Sequence, residues 1–309
     1  MNKRIPLLLL VALVVLCTGC ISEMEKYNAV KKTGSITVTD DFGYNVTIEK
    51  VPKKIVSLAP SNTEILFALG LGDKIAGVTD YCNYPPEALN KTKVGGYSTI
   101  NIEKIVALKP DLVVAAYGNG IENIETLRNL NITVVALNPK NIDDIKKNIE
   151  LLGKVTGTEE NASKLIDQIN EKIDAVKDVV EGKKRVRVAH IIWHDPIYIS
   201  GNNTFINEII TIAGGENVFA DLDGYVAINI ENLIEKNPGV IIVSSGGGMG
   251  GKKNVVYDWV VSDERLKGIN AVKNGRVYVI DADIISRPSY RIVEAVETVA
   301  KFLHPEAFN

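Results

Sequence analysis

Cysteine is scarce in this sequence, with three among 309 residues. Cys17 and Cys20 close an N-terminal apolar segment, which leaves Cys82 as the single cysteine of the remaining chain. A lone cysteine forms no intrachain disulfide, and we expect Cys82 to be buried as a small apolar residue; a position beside a ligand is the alternative. Aromatic residues make up only 6% of the chain, so each tyrosine or tryptophan in a loop is a candidate for ligand contact.

The chain also lacks a strong charge of either sign and, after its first twenty residues, a long apolar run. Its formal net charge is −3, which disfavours a nucleic-acid partner because such binding needs a concentrated positive surface. No later apolar run approaches the ~20 residues that span a bilayer. With 46% apolar and 24% charged residues, the composition is typical of a globular protein.

The N-terminus has the features of an export signal. Lys3 and Arg4 precede the apolar stretch 5–16, which is followed by Cys17-Thr18-Gly19-Cys20. Gly19-Cys20 resembles a lipobox, with Cys17 at the position where leucine is usual. We therefore expect residues 1–20 to be a signal peptide, Cys20 to carry a lipid anchor, and 21–35 to be a tether. The protein would then be extracytoplasmic and anchored to the cell membrane; a secreted protein and an uncleaved anchor helix are the alternatives.

One pattern occurs twice in the chain. Three residues of the first copy recur 128 positions later (229 − 101 = 128): Asn101, Glu103 and Pro110 correspond to Asn229, Glu231 and Pro238. In each copy we expect a short helix with an acidic residue in its first turn, ending before the proline and followed by a β-branched strand. A second similarity upstream predicts helix N-caps at Asn62 and Asn203. The chain is therefore predicted to contain two related lobes.

Strands and helices alternate in both halves of the chain, which predicts mainly parallel sheets. After a hairpin over 36–48, the predicted strands are 55–58, 75–78, 112–115 and 133–137, then 186–193, 240–244 and 277–280. Between the halves, the apolar residues from Thr158 to Val180 recur with a period of 3.6, which indicates one helix of about 35 Å.

The predicted fold class is α/β: two Rossmann-like lobes joined by one long α-helix, with a ligand cleft between the lobes. The expected boundaries are 36–157 for the N-terminal lobe, 158–181 for the linking helix and 182–309 for the C-terminal lobe.

Four motifs follow the hairpin: IVSLAPSNTE (55–64), DYCNYPP (80–86), the segment 101–111 and RPSYR (287–291). Together they resemble the helix-linked (class III) substrate-binding proteins of ABC importers for cobalamin, ferric siderophores and haem, over residues 36–308. The resemblance implies a monomer, without catalytic activity or cofactor, that captures a small molecule outside the membrane. It also implies that the filled protein docks on a permease dimer, which is driven by separate ATPase subunits.

The resemblance assigns roles to particular residues. One glutamate per lobe contacts the permease in this family, which points to Glu103 and Glu231; complementing the helix dipole, worth ~0.3–1 kcal/mol, is the alternative. The ligand contacts would come from aromatic residues of both lobes and from the loop before the last helix: Tyr81, Tyr97, Trp193, Tyr198, Tyr225, Asp283, Ile284, Ile285, Ser286 and Arg287. Trp193 is placed by its strand position and not by a motif.

The expected ligand is a metal chelate, because flat aromatic faces suit a macrocycle and tyrosine adds a hydroxyl group. Tyr97 and Tyr225 stand where cobalamin-binding members have tryptophan, so ferric siderophores and haem remain open beside cobalamin. Arg287 pairs either with an anionic ligand or with Asp283.

Other chemistries fit the sequence less well. The spacing from Gly246 to Lys252 imitates a P-loop, but Lys253 stands where a hydroxyl should hold Mg²⁺, so we interpret the segment as a flexible loop at the cleft edge. His190 and His194 lie about 13 Å apart on one predicted strand, too far for one bare zinc or manganese ion. The chain has no Gly-x-Ser-x-Gly or His-Glu-x-x-His motif, which disfavours an enzyme. A binding protein for a bare metal ion and a sensory or surface-binding module remain alternatives.

Overall fold

The computed structural model describes residues 34–245 and 254–308. The predicted signal peptide, Cys20, nearly all of the tether and the Gly246–Lys252 loop lie outside these ranges. Within them, no helix has both the length and the apolar character that crossing a membrane requires.

The N-terminal lobe is built on a parallel sheet of five strands. The strands of this lobe are β1 (Ile36–Thr39), β2 (Asn45–Ile48), β3 (Ile55–Ser57), β4 (Ile75–Val78), β5 (Thr92–Lys93), β6 (Leu112–Ala116) and β7 (Val134–Leu137). Strands β1 and β2 form a separate antiparallel hairpin. The order in the five-stranded sheet is β5-β4-β3-β6-β7, and every neighbouring pair is parallel. The helices are α1 (Pro60–Ala68), α2 (Ile102–Ala107), α3 (Ile121–Asn129) and α4 (Ile142–Thr156).

The C-terminal lobe repeats this plan with a mixed sheet. The strands are β8 (Val186–His194), β9 (Ile197–Ser200), β10 (Gly215–Asn217), β11 (Tyr225–Ile228), β12 (Val240–Ser244) and β13 (Val277–Ile280). On one side of β8 lie β12 and then β13, all three parallel. On its other side β8 pairs with β10 in parallel and with β9 in antiparallel orientation, and β11 extends the sheet beyond β9. The helices α5 to α11 are Glu159–Val180, Phe205–Ile212, Ile230–Lys236, Val255–Ser262, Asn270–Lys273, Ala282–Ile285 and Ile292–Leu303. The predicted α/β class with two lobes is thus confirmed.

One long helix, α5, joins the lobes. Its 22 residues extend over roughly 33 Å at ~1.5 Å per residue. The side chains of Leu165, Ile169, Ile173 and Val176 are buried on one face, in a single apolar core that continues from the N-terminal sheet into the C-terminal lobe. Because the core is continuous across the junction, the helix and both lobes pack as one unit at this side of the molecule.

The two copies of the repeat fold alike. The side chains of Asn101 and Asn229 cap α2 and α7, each accepting a 2.8 Å hydrogen bond from the backbone N–H three residues later. Both helices run into a residue in the left-handed region before the proline, Lys109 with φ 49° and Asn237 with φ 42°. This geometry confirms that the 128-residue spacing in the sequence reflects a structural repeat.

The predicted caps at Asn62 and Asn203 are wrong. Helix α1 begins at Pro60, so Asn62 lies inside it, where the Asn62 amide donates to the carbonyl of Ala115 at 3.0 Å. Helix α6 is capped by the neighbouring Thr204, whose hydroxyl accepts from the N–H of Asn207 at 3.1 Å. Thr204 is therefore the cap, and Asn203 precedes it in the left-handed region with φ 54°.

His190 is buried in the C-terminal sheet between Ser200 and Ser244, with ring nitrogens 2.9 and 3.3 Å from their hydroxyl oxygens. Burial lowers the pKa of His190 to about 4. The unfolded chain binds this proton below its usual pKa of about 6.5, so the free energy of unfolding is expected to fall as the pH falls below that value. Between pH 7 and pH 5, the free energy of unfolding measured in urea should fall by about 2 kcal/mol more in wild type than in His190→Gln. Equal losses in the two proteins would show that His190 is not the cause.

Candidate functional site: the cleft between the lobes

A cavity of about 490 Å³ lies between the lobes. On the N-terminal side it is lined by loops that follow the carboxyl ends of β3, β5, β6 and β7, the end of a parallel sheet where ligands usually bind. The side chains used below come from both lobes: Asn62, Tyr97, Tyr117, Asn138 and Lys140 on one wall, and Asn203, Phe205, Tyr225 and Ser286 on the other. The cavity walls therefore combine aromatic rings with uncharged hydrogen-bonding groups, a composition typical of small-molecule sites.

Asn119 and Gly118 of the neighbouring loop hold Tyr97 in the cleft. The backbone carbonyl of Tyr97 accepts a 2.7 Å hydrogen bond from the Asn119 amide, which also donates to the carbonyl of Leu58 at 2.8 Å. A side-chain carbon at Gly118 would come within 2.1 Å of the Tyr97 ring, so only glycine allows this approach. Burial raises the pKa of the Tyr97 phenol, so the hydroxyl group stays neutral and can donate a hydrogen bond to a ligand.

Tyr117 and Lys140 complete the N-terminal wall. The exposed ring of Tyr117 stacks on Phe42, with 6.3 Å between the ring centres, and the Lys140 ammonium lies 5.2 Å from the centre of the Tyr117 ring. Neither residue was among the predicted ligand contacts. Each follows the carboxyl end of a strand of the parallel sheet, and that position alone was the signal that marks them as cleft residues.

Three of the ten predicted ligand-binding residues line the cavity: Tyr97, Tyr225 and Ser286. Tyr81 and Tyr198 are exposed outside its lining. Trp193 lies against the core of the C-terminal lobe, and its indole N–H donates to the carbonyl of Asp195 at 2.8 Å. Ile284 and Ile285 are buried in α10, where they fix the loop that carries Ser286. Asp283 and Arg287 belong to a separate cluster beside the cleft.

That cluster is a clasp between the lobes, with Glu64, Arg287 and Ser289 buried at its centre and Asn83 and the partly buried Asp283 at its edge. The Arg287 side chain is 3% exposed and that of Glu64 0%, and their ion pair measures 2.8 Å. Arg287 also donates to Asn83 at 2.8 Å and lies 2.7 Å from Asp283, while Ser289 donates its hydroxyl hydrogen to Glu64. Burial raises the pKa of Glu64, and its contacts with Ser289 and Arg287 oppose that shift.

The clasp determines what Arg287 can contact. Its Nη atoms point at Glu64, Asn83 and Asp283 and not into the cavity. The sequence left two partners open for Arg287, an anionic ligand and Asp283, and the structure shows Asp283. Ser61 and Asn62 lie one turn before Glu64 on α1 and line the cavity, as does Ser286 beside Arg287. The clasp therefore fixes both walls of the cleft relative to each other.

Two other predicted features have clear surroundings. Cys82 is fully buried, with its sulfur 3.2 Å from the Thr63 hydroxyl and 3.1 Å from that of Thr79, which confirms the expected burial. Glu103 and Glu231 are exposed in the first turns of α2 and α7 and form no ion pair with any residue in the described part of the chain. In residues 34–245 and 254–308, no three His, Cys, Asp or Glu side chains cluster closely enough to hold a metal ion.

A wider groove, of about 770 Å³, is lined by Lys183, Lys184, Arg185 and Arg187 of the C-terminal lobe. Its residues come from one lobe only, around the amino end of β8, and Lys183 and Arg187 face Glu306 and Glu216 at 3.8 and 3.6 Å. We therefore assign the ligand site to the cleft between the lobes.

Comparison with known proteins agrees with this architecture. The sequence profile of the family described as "Periplasmic binding protein" matches residues 55–284. An uncharacterized ABC transporter substrate-binding lipoprotein of Bacillus subtilis, YvrC, is 35% identical over the full length of both chains. The vitamin B12-binding protein of Vibrio cholerae is 34% identical over 81% of this chain and 89% of its own length.

A solved structure shows the same fold. The periplasmic vitamin B12 binding protein BtuF of Vibrio cholerae superposes with a TM-score of 0.71 and 32% identity, over 84% of this chain and 99% of that one. The two-lobed fold is thus shared with a protein of known structure. The chain belongs to the periplasmic binding protein family, among the substrate-binding proteins of ABC transporters.

Proposed function

We propose that the protein captures a metal chelate (cobalamin, a ferric siderophore or haem) in the cleft and delivers it to the permease dimer of an ABC importer. The observation that carries this proposal is the cavity between the lobes, which tyrosines of both walls line together. The filled protein docks through Glu103 and Glu231, and separate ATPase subunits drive release. We further propose that it acts as a monomer, without a cofactor or a nucleic-acid partner, and releases its ligand chemically unchanged.

A corrinoid fits the cleft best among these chelates. Among the described residues that line the cavity, all except Lys140 are uncharged, and Asn138 and Asn203 supply amide groups that pair with amide substituents. The relatives named for vitamin B12 binding support the same choice. An anionic chelate such as haem is the second candidate, because the Lys140 ammonium and the phenols of Tyr97 and Tyr225 would bond to its carboxylates.

We also propose that the protein works outside the cell membrane, held there by a lipid on Cys20. The basic residues, apolar stretch and Gly19-Cys20 of the N-terminus support this, as does the description of YvrC as a lipoprotein. Mass spectrometry of the mature N-terminus tests it: a diacylglyceryl group on Cys20 is expected, and an unmodified Cys20 would contradict it.

Purification of the protein from its native membrane, without added ligand, tests the proposed substrate class. Absorbance spectroscopy and metal analysis should reveal a corrinoid, haem or ferric chromophore at a ratio of about one per chain. A bound sugar, peptide or bare metal ion in place of a chromophore would contradict the proposal.

The double variant Tyr97→Ala/Tyr225→Ala should bind the chelate about 100-fold more weakly, because each ring that loses its contact costs on the order of 1–2 kcal/mol. Isothermal titration calorimetry measures the affinity, and Tyr44→Ala, an exposed tyrosine outside the cavity lining, is the control. Equal affinity in the double variant and in wild type would show that the ligand lies elsewhere.

A further inference from the structure

The repeat extends to the surface that helices α2 and α7 present. Over the nine positions 101–109 and 229–237, the order of exposed, half-buried and buried side chains is the same in both copies. With equal caps and equal left-handed ends, the two helices offer equivalent outer faces. Residues at matching positions therefore face a partner in the same way.

Two exposed residue types recur at these faces beyond the capping asparagines. Glutamate recurs as Glu103 and Glu231, and a β-branched apolar residue recurs as Val106 and Ile234, each 40% exposed. The other exposed positions change type, for example Lys104 to Asn232. An exposed β-branched residue lowers helix propensity and contributes little to a core, so stability of the fold does not explain its recurrence.

Each glutamate lies on the same side of its helix as the apolar residue. A spacing of three residues places two side chains next to each other on one helix face, so each lobe presents a carboxylate beside an exposed aliphatic group. In the part of the chain that the structure describes, neither glutamate forms a direct ion pair, although Arg265 attracts Glu231 at longer range. Both faces thus offer an exposed carboxylate and an uncovered apolar contact.

We propose that Glu103 with Val106 and Glu231 with Ile234 form two equivalent docking pads, one for each subunit of a two-fold permease. This inference rests on the proposed function and adds an apolar half to the charged contact. The partner surface is then a cationic side chain beside an apolar recess, present once in each permease subunit. Two equivalent pads match two identical subunits, whereas a single-chain partner without internal symmetry would need only one. Burial of the aliphatic groups provides affinity, and the charges align the two proteins.

Surface plasmon resonance of the protein, as purified, on its importer in lipid nanodiscs tests this. Val106→Ser and Ile234→Ser should each weaken binding about tenfold, and the double variant about 100-fold, because burial of each side chain is lost independently. Matched controls are Leu130→Ser and Val261→Ser, one exposed apolar residue per lobe outside both pads, which should bind like wild type.

Each alternative outcome would contradict a specific part of the proposal. Wild-type affinity in Val106→Ser/Ile234→Ser, with weak binding in Glu103→Gln/Glu231→Gln, would remove the apolar half and leave the proposed charged docking intact. Wild-type affinity in both double variants would show that docking does not use these helices. If sedimentation showed a wild-type dimer that the Val106→Ser/Ile234→Ser variant loses, with importer binding unchanged, the pads would instead bind a second copy of this chain.

Discussion

Charge reversal at both docking glutamates, Glu103→Arg/Glu231→Arg, is expected to lower uptake of the ligand at least 100-fold while leaving its affinity for the protein unchanged. Both side chains are exposed and form no direct ion pair in the described part of the chain, so the substitutions break no salt bridge and remove only the long-range attraction between Glu231 and Arg265. Two arginines facing cationic permease groups replace attraction by repulsion at both ends of the interface, and like-charge juxtaposition costs several kcal/mol. Ligand affinity should stay unchanged because neither glutamate lines the cleft.

Uptake of the ligand into proteoliposomes that contain the importer measures the first quantity, and calorimetry the second. Glu171→Arg/Glu181→Arg carries the same change of charge at exposed positions on and just after the linking helix, and it should transport like wild type. Loss of ligand affinity in the Glu103/Glu231 variant, or normal uptake, would show that these glutamates do not form the docking contact.

Breaking the clasp should have the largest effect on stability. Arg287→Met removes the 2.8 Å partner of Glu64 and leaves a fully buried carboxylate whose remaining partners are the Ser289 hydroxyl and the Arg291 guanidinium, 3.6 Å away. Removing one member of a buried ion pair typically costs about 3–5 kcal/mol, because the other charge remains desolvated. Because Arg291 still pairs with Glu64, we expect the free energy of unfolding to fall by about 3 kcal/mol, the lower end of that range, and ligand affinity to fall with it as the cleft walls separate.

Urea unfolding checks this, and a second substitution separates charge from packing. Glu64→Gln/Arg287→Met removes both charges of the fully buried pair and should be more stable than Arg287→Met alone, since Asp283, the other carboxylate that loses Arg287, is partly exposed. Lys164→Met, which breaks a pair with Glu160 in which both side chains are exposed, should change stability much less than Arg287→Met does. A small effect of Arg287→Met, or no recovery in the double variant, would mean that the clasp does not join the lobes energetically.

The fold was largely predictable because its signals are local. The 3.6-residue period between Thr158 and Val180 follows directly from one buried helix face, and the structure places α5 at Glu159–Val180. The strands 240–244 and 277–280 are apolar runs with sharp ends and occur where predicted. Strands β9 and β11 were missed, because each is defined by its partner across the sheet.

The cleft was predictable only in part, because its contacts join distant residues. Tyr97 and Tyr225 were found by resemblance, whereas Tyr117 and Lys140 needed the strand order of the sheet. The orientation of Arg287 depends on Glu64, 223 positions away, and no local pattern contains that pairing. Side chains that reach between the lobes are therefore where the sequence alone gave least guidance.

Calorimetric titration of the ligand-free protein with cyanocobalamin, haem and a ferric siderophore tests whether the cleft captures a metal chelate. We expect one-to-one binding of one of these compounds, cyanocobalamin first among them, with a Kd in the micromolar range or tighter, equivalent to a binding free energy of about −8 kcal/mol or more favourable. Absence of heat and of binding with all three, at protein concentrations far above that Kd, would contradict it.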